Sequence, residues 1–164
     1  MKIQHCVLEG CTGHQAGRQL LAELYYEQTG EPLPEIRLGD RGKPYFPHSP
    51  WYFSITHTKH HAFCALSDRP IGIDAEELDR KVRPGLAKKI LSPGELAQYE
   101  QAPDRDRALL TFWVLKEAQA KLTGEGLRGY PNQTDFTLPH PAVREAAGCL
   151  LAILQEQGET VHAV

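Results

Sequence analysis

Ile71-Gly72-Ile73-Asp74-Ala75-Glu76 and Trp113-Val114-Leu115-Lys116-Glu117-Ala118-Gln119-Ala120-Lys121 are the two segments from which the rest of the chain is read. In the first, Ile71, Ile73 and Ala75 alternate with Gly72, Asp74 and Glu76, the period of a strand with one core face and one acidic face. Gly72 shares the acidic face and has no side chain, so a ligand is expected to come close to the backbone there. In the second, Glu117 and Lys121 stand four apart and therefore side by side on a helix. They continue a row with Leu109 and Trp113, next to the apolar row of Ala108, Phe112, Leu115 and Leu122. Glu117 thus borders the buried side and needs a partner there, either Lys121 or a metal. Hard cations such as Mg²⁺ take oxygen ligands, commonly a few carboxylates and substrate phosphates, and an adjacent lysine supplies charge to those phosphates. Together the two segments point to phosphate chemistry.

Taken singly, each motif has a plainer reading. Glu117 and Lys121 alone read first as a solvated helix pair, and Asp74 and Glu76 equally as a strand end running into a polar turn. Thr56-His57-Thr58-Lys59-His60-His61 is a surface turn or, if His57 and His60 found further ligands, a zinc site. Gly42-Lys43-Pro44 is a turn whose lysine is placed to meet an anion, and Gly124-Glu125-Gly126 is a helix stop.

Outward from these segments, residues 3 to 8 predict a first strand, and Thr12-Gly13-His14-Gln15 has the form of a capping box before a helix. Leu20, Leu21, Leu24 and Tyr25 give that helix its apolar face, and Gly30 its stop. The proline- and glycine-rich stretch from 32 to 50 reads as loop with short extended pieces. Strands are expected at 52 to 57, 61 to 66 and 70 to 76, and short helices at 83 to 91 and 93 to 100. A longer helix capped by Asp104 runs to about residue 123. Strands at 135 to 138, 149 to 154 and 160 to 164 complete the pattern. Segregated runs of strands and helices predict an α+β fold with antiparallel sheets.

The 164 residues suffice for one sizeable core, and 41% hydrophobic with 24% charged residues is an ordinary soluble composition. No apolar run approaches the roughly 20 residues of a membrane span, and the first nine residues lack a signal-peptide pattern, so a cytoplasmic, monomeric protein is expected. Cys6, Cys11, Cys64 and Cys149 show no metal or disulfide spacing and read as reduced thiols. A formal net charge of −3 argues against general nucleic-acid affinity.

In their order along the chain, Gly42-Lys43-Pro44, Thr56-His57, Gly72-Ile73-Asp74-Ala75-Glu76, Trp113 to Lys121 and Gly124-Glu125-Gly126-Leu127 resemble the motifs of the 4'-phosphopantetheinyl transferases. The likeness is to the longer type, with two pseudo-repeated halves in one chain, for which this chain is short. Thr56 stands where that family commonly has serine, and Val114 where it has a small polar residue. The resemblance implies an α+β fold of two halves, residues 1–66 and 67–164, each an antiparallel sheet packed with a long helix, together one compact unit. It implies transfer of the phosphopantetheine arm of coenzyme A to a serine of an acyl or peptidyl carrier protein. Asp74, Glu76 and Glu117 would hold Mg²⁺ (or Mn²⁺), Glu117 and Lys121 would be catalytic, and Lys43, Thr56, His57, Lys116 and Lys121 would contact coenzyme A. His57 would take the 3'-phosphate. The basic run Arg80, Lys81, Arg83, Lys88 and Lys89 would dock an acidic carrier, if it is more than a solvated helix face. A Mg²⁺-dependent phosphohydrolase and a non-catalytic carrier-binding homologue are the alternatives.

Overall fold

Residues 71 to 77 do form a strand, and the helix bearing Glu117 lies across it. The computed structural model describes residues 1–126 and 134–156. Strand β1 (Lys2–Val7) leads into helix α1 (Gly13–Thr29), which opens on the expected capping box: the Thr12 hydroxyl accepts from the Gln15 N–H, and the Gln15 side chain accepts from the Thr12 N–H. Gly30 ends the helix in the left-handed region. Two short strands, β2 (Arg37–Leu38) and β3 (Pro44–Tyr45), pair within the proline-rich stretch. Strands β4 (Tyr52–His57), β5 (His61–Ser67) and β6 (Ile71–Glu77) follow. A 3₁₀ turn at Pro84–Leu86 continues into the single-turn α2 (Ala87–Ile90), then α3 (Pro93–Gln101), α4 (Arg105–Thr123), β7 (Val143–Ala146) and β8 (Cys149–Gln155). Asp104 caps α4 as expected, accepting from the Arg107 N–H at 2.9 Å. No described helix is long and apolar enough to cross a membrane.

The strands make two three-stranded antiparallel sheets, in the orders β1-β5-β4 and β6-β8-β7. Alternation along β5 sends Ala62, Cys64 and Leu66 against Leu20, Leu21, Leu24 and Tyr25 of α1. Phe63 and Ala65 turn the other way and pack on Ile71, Ile73 and Ala75 of β6 and Cys149 and Leu151 of β8. Beyond the second sheet, Leu150 and Ala152 meet Leu109, Phe112, Leu115 and Ala118 of α4. Each sheet therefore carries one long helix on its outer side. The edge strands β4 and β6 face each other without a backbone ladder. Side-chain hydroxyls take its place: Ser54 Oγ accepts the Ile73 N–H at 3.0 Å, and Thr56 Oγ1 accepts the Ala75 N–H at 3.3 Å.

Three expectations change. Residues 135 to 138 are extended but join no strand; side chains of α3 lace them down instead. Glu95 Oε1 accepts the Phe136 N–H, while Gln98 Nε2 donates to the Phe136 carbonyl and Gln98 Oε1 accepts the Leu138 N–H. The helix expected at 83 to 91 is only the 3₁₀ turn and α2, Gly85 being a poor α-helix former at its start. Gly72 serves packing and not a ligand: a Cβ there would sit 2.1 Å from the Ala118 carbonyl oxygen and 2.4 Å from the Leu122 nitrogen, so glycine lets α4 lie directly on β6. The strand expected at 160 to 164, like Leu127 of the glycine motif, lies outside the described residues.

Candidate active site

Two residues along a strand advance about 6.6 Å, and four along a helix about 6 Å, so a strand lying against a helix can match i,i+2 to i,i+4 over several contacts. β6 and α4 do this with opposite numbering. Gly72 lies under Ala118 and Leu122, Asp74 meets Lys121, and Glu76 meets Trp113. Lys121 Nζ donates to Asp74 Oδ1 at 2.8 Å, and the Trp113 indole N–H donates to Glu76 Oε1 at 3.1 Å. The row Leu109, Trp113, Glu117, Lys121 grades from core to cleft: Leu109 is buried, and the other three are half-buried.

The carboxylates and Lys121 line a cavity of about 540 Å³, whose other wall is His57 with His14 and Arg18 from the first turns of α1. Burial, and then the charge of Asp74, push the Glu117 carboxyl above the ordinary range, against the opposing pull of Lys121 and Arg80. Asp74 is buried and accepts at Oδ1 from both Thr56 and Lys121, while its Oδ2, also buried, has no hydrogen-bond partner among the described residues. Such an oxygen is costly unless something positive meets it. The donor set is all oxygen, and the orphaned Oδ2 fits a hard cation. Among the described residues no three of His, Cys, Asp and Glu already stand grouped to hold an ion, since Asp74 is engaged by Lys121 and Glu76 by Trp113 and Arg80.

A smaller cavity of about 270 Å³ adjoins the first and shares Pro44, Ile55, Glu117 and Lys121 with it. Lys43 lines it, but its ammonium donates to the Leu122 carbonyl at 2.6 Å, at the end of α4, and burial lowers its basicity. Thr56 reaches the larger cavity, yet its one hydroxyl proton goes to Asp74 at 3.0 Å, so it orients that carboxylate. His57 is exposed at the rim, its ring packed on Gly13, where a Cβ would lie 2.3 Å from Cγ.

Lys116 is not in the cleft. It points into the core, 2.7 Å from Glu95 Oε2, with both side chains at most 1% exposed. Its ammonium also donates to the Thr134 carbonyl and lies over the Phe136 ring. The expectation that it contacts coenzyme A is corrected, because α3 covers the face of α4 from which it projects. Of the basic run, Arg80 turns into the cleft to pair with Glu76, and Lys81 pairs with Asp106 at 2.5 Å. Arg83, Lys88 and Lys89 are exposed. His14 and Arg18 carry no sequence assignment, although the capping box at Thr12 places both on the opening turns of α1, four apart and on one face.

Sequence comparisons place the chain among known proteins. The chain is 34% identical over 133 residues to the 4'-phosphopantetheinyl transferase HetI of Nostoc sp. (strain PCC 7120), covering 76% of this chain and 50% of that protein. A 4'-phosphopantetheinyl transferase of Bacillus subtilis is 37% identical over 92 residues, covering 52% and 39%. The 4'-phosphopantetheinyl transferase AcpT of Escherichia coli (strain K12) is 35% identical over 114 residues, covering 66% and 56%. The chain thus spans about half the length of the curated relatives it matches. The family model of the 4'-phosphopantetheinyl transferase superfamily matches residues 70–159, the region holding Asp74, Glu76, Glu117 and Lys121, and the chain belongs to that superfamily.

Proposed function

We propose that this chain transfers the 4'-phosphopantetheine arm of coenzyme A to a serine hydroxyl of a carrier protein, releasing 3',5'-ADP. The observation that carries this reading is the convergence of Asp74, Glu76, Glu117 and Lys121 on one cleft faced by His14, Arg18 and His57. Acids and a lysine stand on one wall and anion-binding groups on the other, as a diphosphate needs. Glu117, its basicity raised by burial, takes the proton from the serine oxygen. That oxygen bonds to the β-phosphorus as the bond to the departing 3',5'-ADP breaks, and Lys121 offers its charge to the leaving phosphate. His57, with His14 and Arg18 beside it, binds the 3'-phosphate, and Lys43 lines the smaller cavity next to it. Thr56 holds Asp74 in place. Asp74, Glu76 and Glu117 would hold Mg²⁺ or Mn²⁺, which would neutralise the diphosphate when bound.

The two sheet-and-helix units are read as pseudo-repeated halves divided near residue 67, since each pairs three antiparallel strands with one long helix. The carrier is read as acidic, docking at the exposed Arg83, Lys88 and Lys89 beside the cleft, with Lys81 contributing once freed from Asp106. Four free cysteines suit a reducing cytoplasm, where the chain would act as a monomer.

The test is incubation with coenzyme A, Mg²⁺ and a panel of apo-carrier proteins, read by intact-mass spectrometry. The expected result is one phosphopantetheine added per carrier with matching 3',5'-ADP. Release of 3',5'-ADP from coenzyme A without a carrier would mark a hydrolase instead.

A further inference from the structure

Glu76 is held by two neighbours whose roles the reaction above leaves open. The Trp113 indole N–H donates to Glu76 Oε1 at 3.1 Å, and the Arg80 guanidinium reaches the same oxygen. Both donors reach Oε1. Arg80 also lies over the Trp113 ring, 5.5 Å from its centroid, so the three side chains form a closed set. The turn after β6 builds it: the Arg80 N–H bonds to the Glu77 carbonyl at 2.9 Å and folds the chain back over α4. The partners differ in their access to water, the Glu76 side chain being 14% exposed and that of Arg80 44%. The carboxylate is fixed and mostly dry, whereas the guanidinium can move into solvent at small cost and keep its hold on the indole face.

We propose that Trp113 and Arg80 set the readiness of Glu76 to take a divalent cation, Trp113 by orienting the carboxylate and Arg80 as the counter-ion that the incoming cation displaces. The proposal rests on the metal reading given above. A donor behind a ligating carboxylate fixes its direction, and losing such a group typically loosens a metal by about 10- to 100-fold. Arg80 acts with the opposite sign, because two cations compete for one carboxylate charge. A half-exposed ion pair of this kind is a weak competitor, affecting affinity by about two- to fivefold. Arg80 is therefore assigned to the metal site and not to the docking surface, and once displaced it presents its charge at the cleft mouth.

The test titrates Mn²⁺ into the full chain without a carrier and reads the free ion by electron paramagnetic resonance, in wild type, Trp113→Phe, Trp113→His, Arg80→Met and Asp74→Asn. Trp113→Phe should loosen Mn²⁺ by at least about tenfold. Trp113→His, which keeps a ring N–H, should recover part of that loss. Arg80→Met should tighten Mn²⁺ by about two- to fivefold. Unchanged affinity in Trp113→Phe overturns the orienting role, and unchanged or weaker affinity in Arg80→Met overturns the counter-ion role. Arg80 is exposed and its variant will fold, so it decides alone if circular dichroism shows Trp113→Phe unfolded. Asp74→Asn separates this from the underlying reading: if it binds Mn²⁺ as wild type does, the metal assignment itself fails.

Discussion

Where α1 crosses β4, the glycines are on the helix: Gly13 and Gly17, one turn apart, lie against His57 and Ile55, two apart on the strand. Where α4 crosses β6, the glycine is on the strand: Gly72 lies against the backbone at Ala118 and Leu122. Either choice brings a helix close to a strand, but the side chains left over differ. The first crossing keeps the strand's side chains, so an imidazole stands at the rim of the cleft beside His14 and Arg18. The second keeps both sets from Asp74 onward, so carboxylates of β6 meet a lysine and an indole of α4 directly. Under the proposed function, the first crossing holds an anion and the second supplies charge neutralisation and proton transfer. The hydroxyls of Ser54 and Thr56 join the two edges, and Thr56 links the strand bearing His57 to Asp74.

The largest expected effect comes from beneath the second crossing. Lys116→Met strands the Glu95 carboxylate in the core and should cost about 3–5 kcal/mol in urea unfolding. Adding Glu95→Leu should restore much of that loss, since apolar replacement of a buried pair is often neutral. Gly72→Ala should cost about 3 kcal/mol, because its Cβ meets backbone that cannot step aside. The matching change at the first crossing, Gly17→Ala, presses on the Ile55 side chain, which can turn, and it gains helix propensity. It should stay within about 1 kcal/mol of wild type. Equal losses for the two glycines would break the comparison. Smallest in stability terms is the surface change: Arg83→Glu with Lys88→Glu should leave unfolding within about 0.5 kcal/mol. It should raise the KM for an acidic carrier and flatten its salt dependence, measured at two salt concentrations.

The sequence made β6 and α4 legible because both announce their period, and the helix ends because Thr12, Asp104, Gly30 and Gly124 carry cap chemistry. The convergence of Asp74 with Lys121 follows from those two elements once they touch. Lys116 lies in the motif that the resemblance sets against coenzyme A, but α4 is buried on more of its circumference than one apolar stripe reveals, and that position faces the core. Glu95 closes a capping box with Ser92 at the start of α3, and nothing in that local pattern shows that its carboxylate also meets Lys116. Residues 135 to 138 alternate as a strand would, and no pattern within one segment reveals that its partner is a helix's side chains. Strand β7 is not legible in the sequence because its turn to β8 is Ala147-Gly148, both at positive φ, without the asparagine or aspartate that usually signals such a hairpin.

The proposed division of labour between the two crossings is tested most directly by measuring coenzyme A affinity and carrier modification together in Glu117→Gln and His57→Ala. Glu117→Gln keeps the shape and removes the base, so calorimetry should show coenzyme A bound within a few-fold of wild type while transfer falls by about 10²–10⁴. His57→Ala should weaken coenzyme A by about tenfold or more, the worth of a hydrogen bond to a charged group, yet modify a carrier at near-normal rate once coenzyme A saturates. The reverse pattern, with Glu117→Gln losing coenzyme A and His57→Ala binding it normally but failing to transfer, would contradict the account.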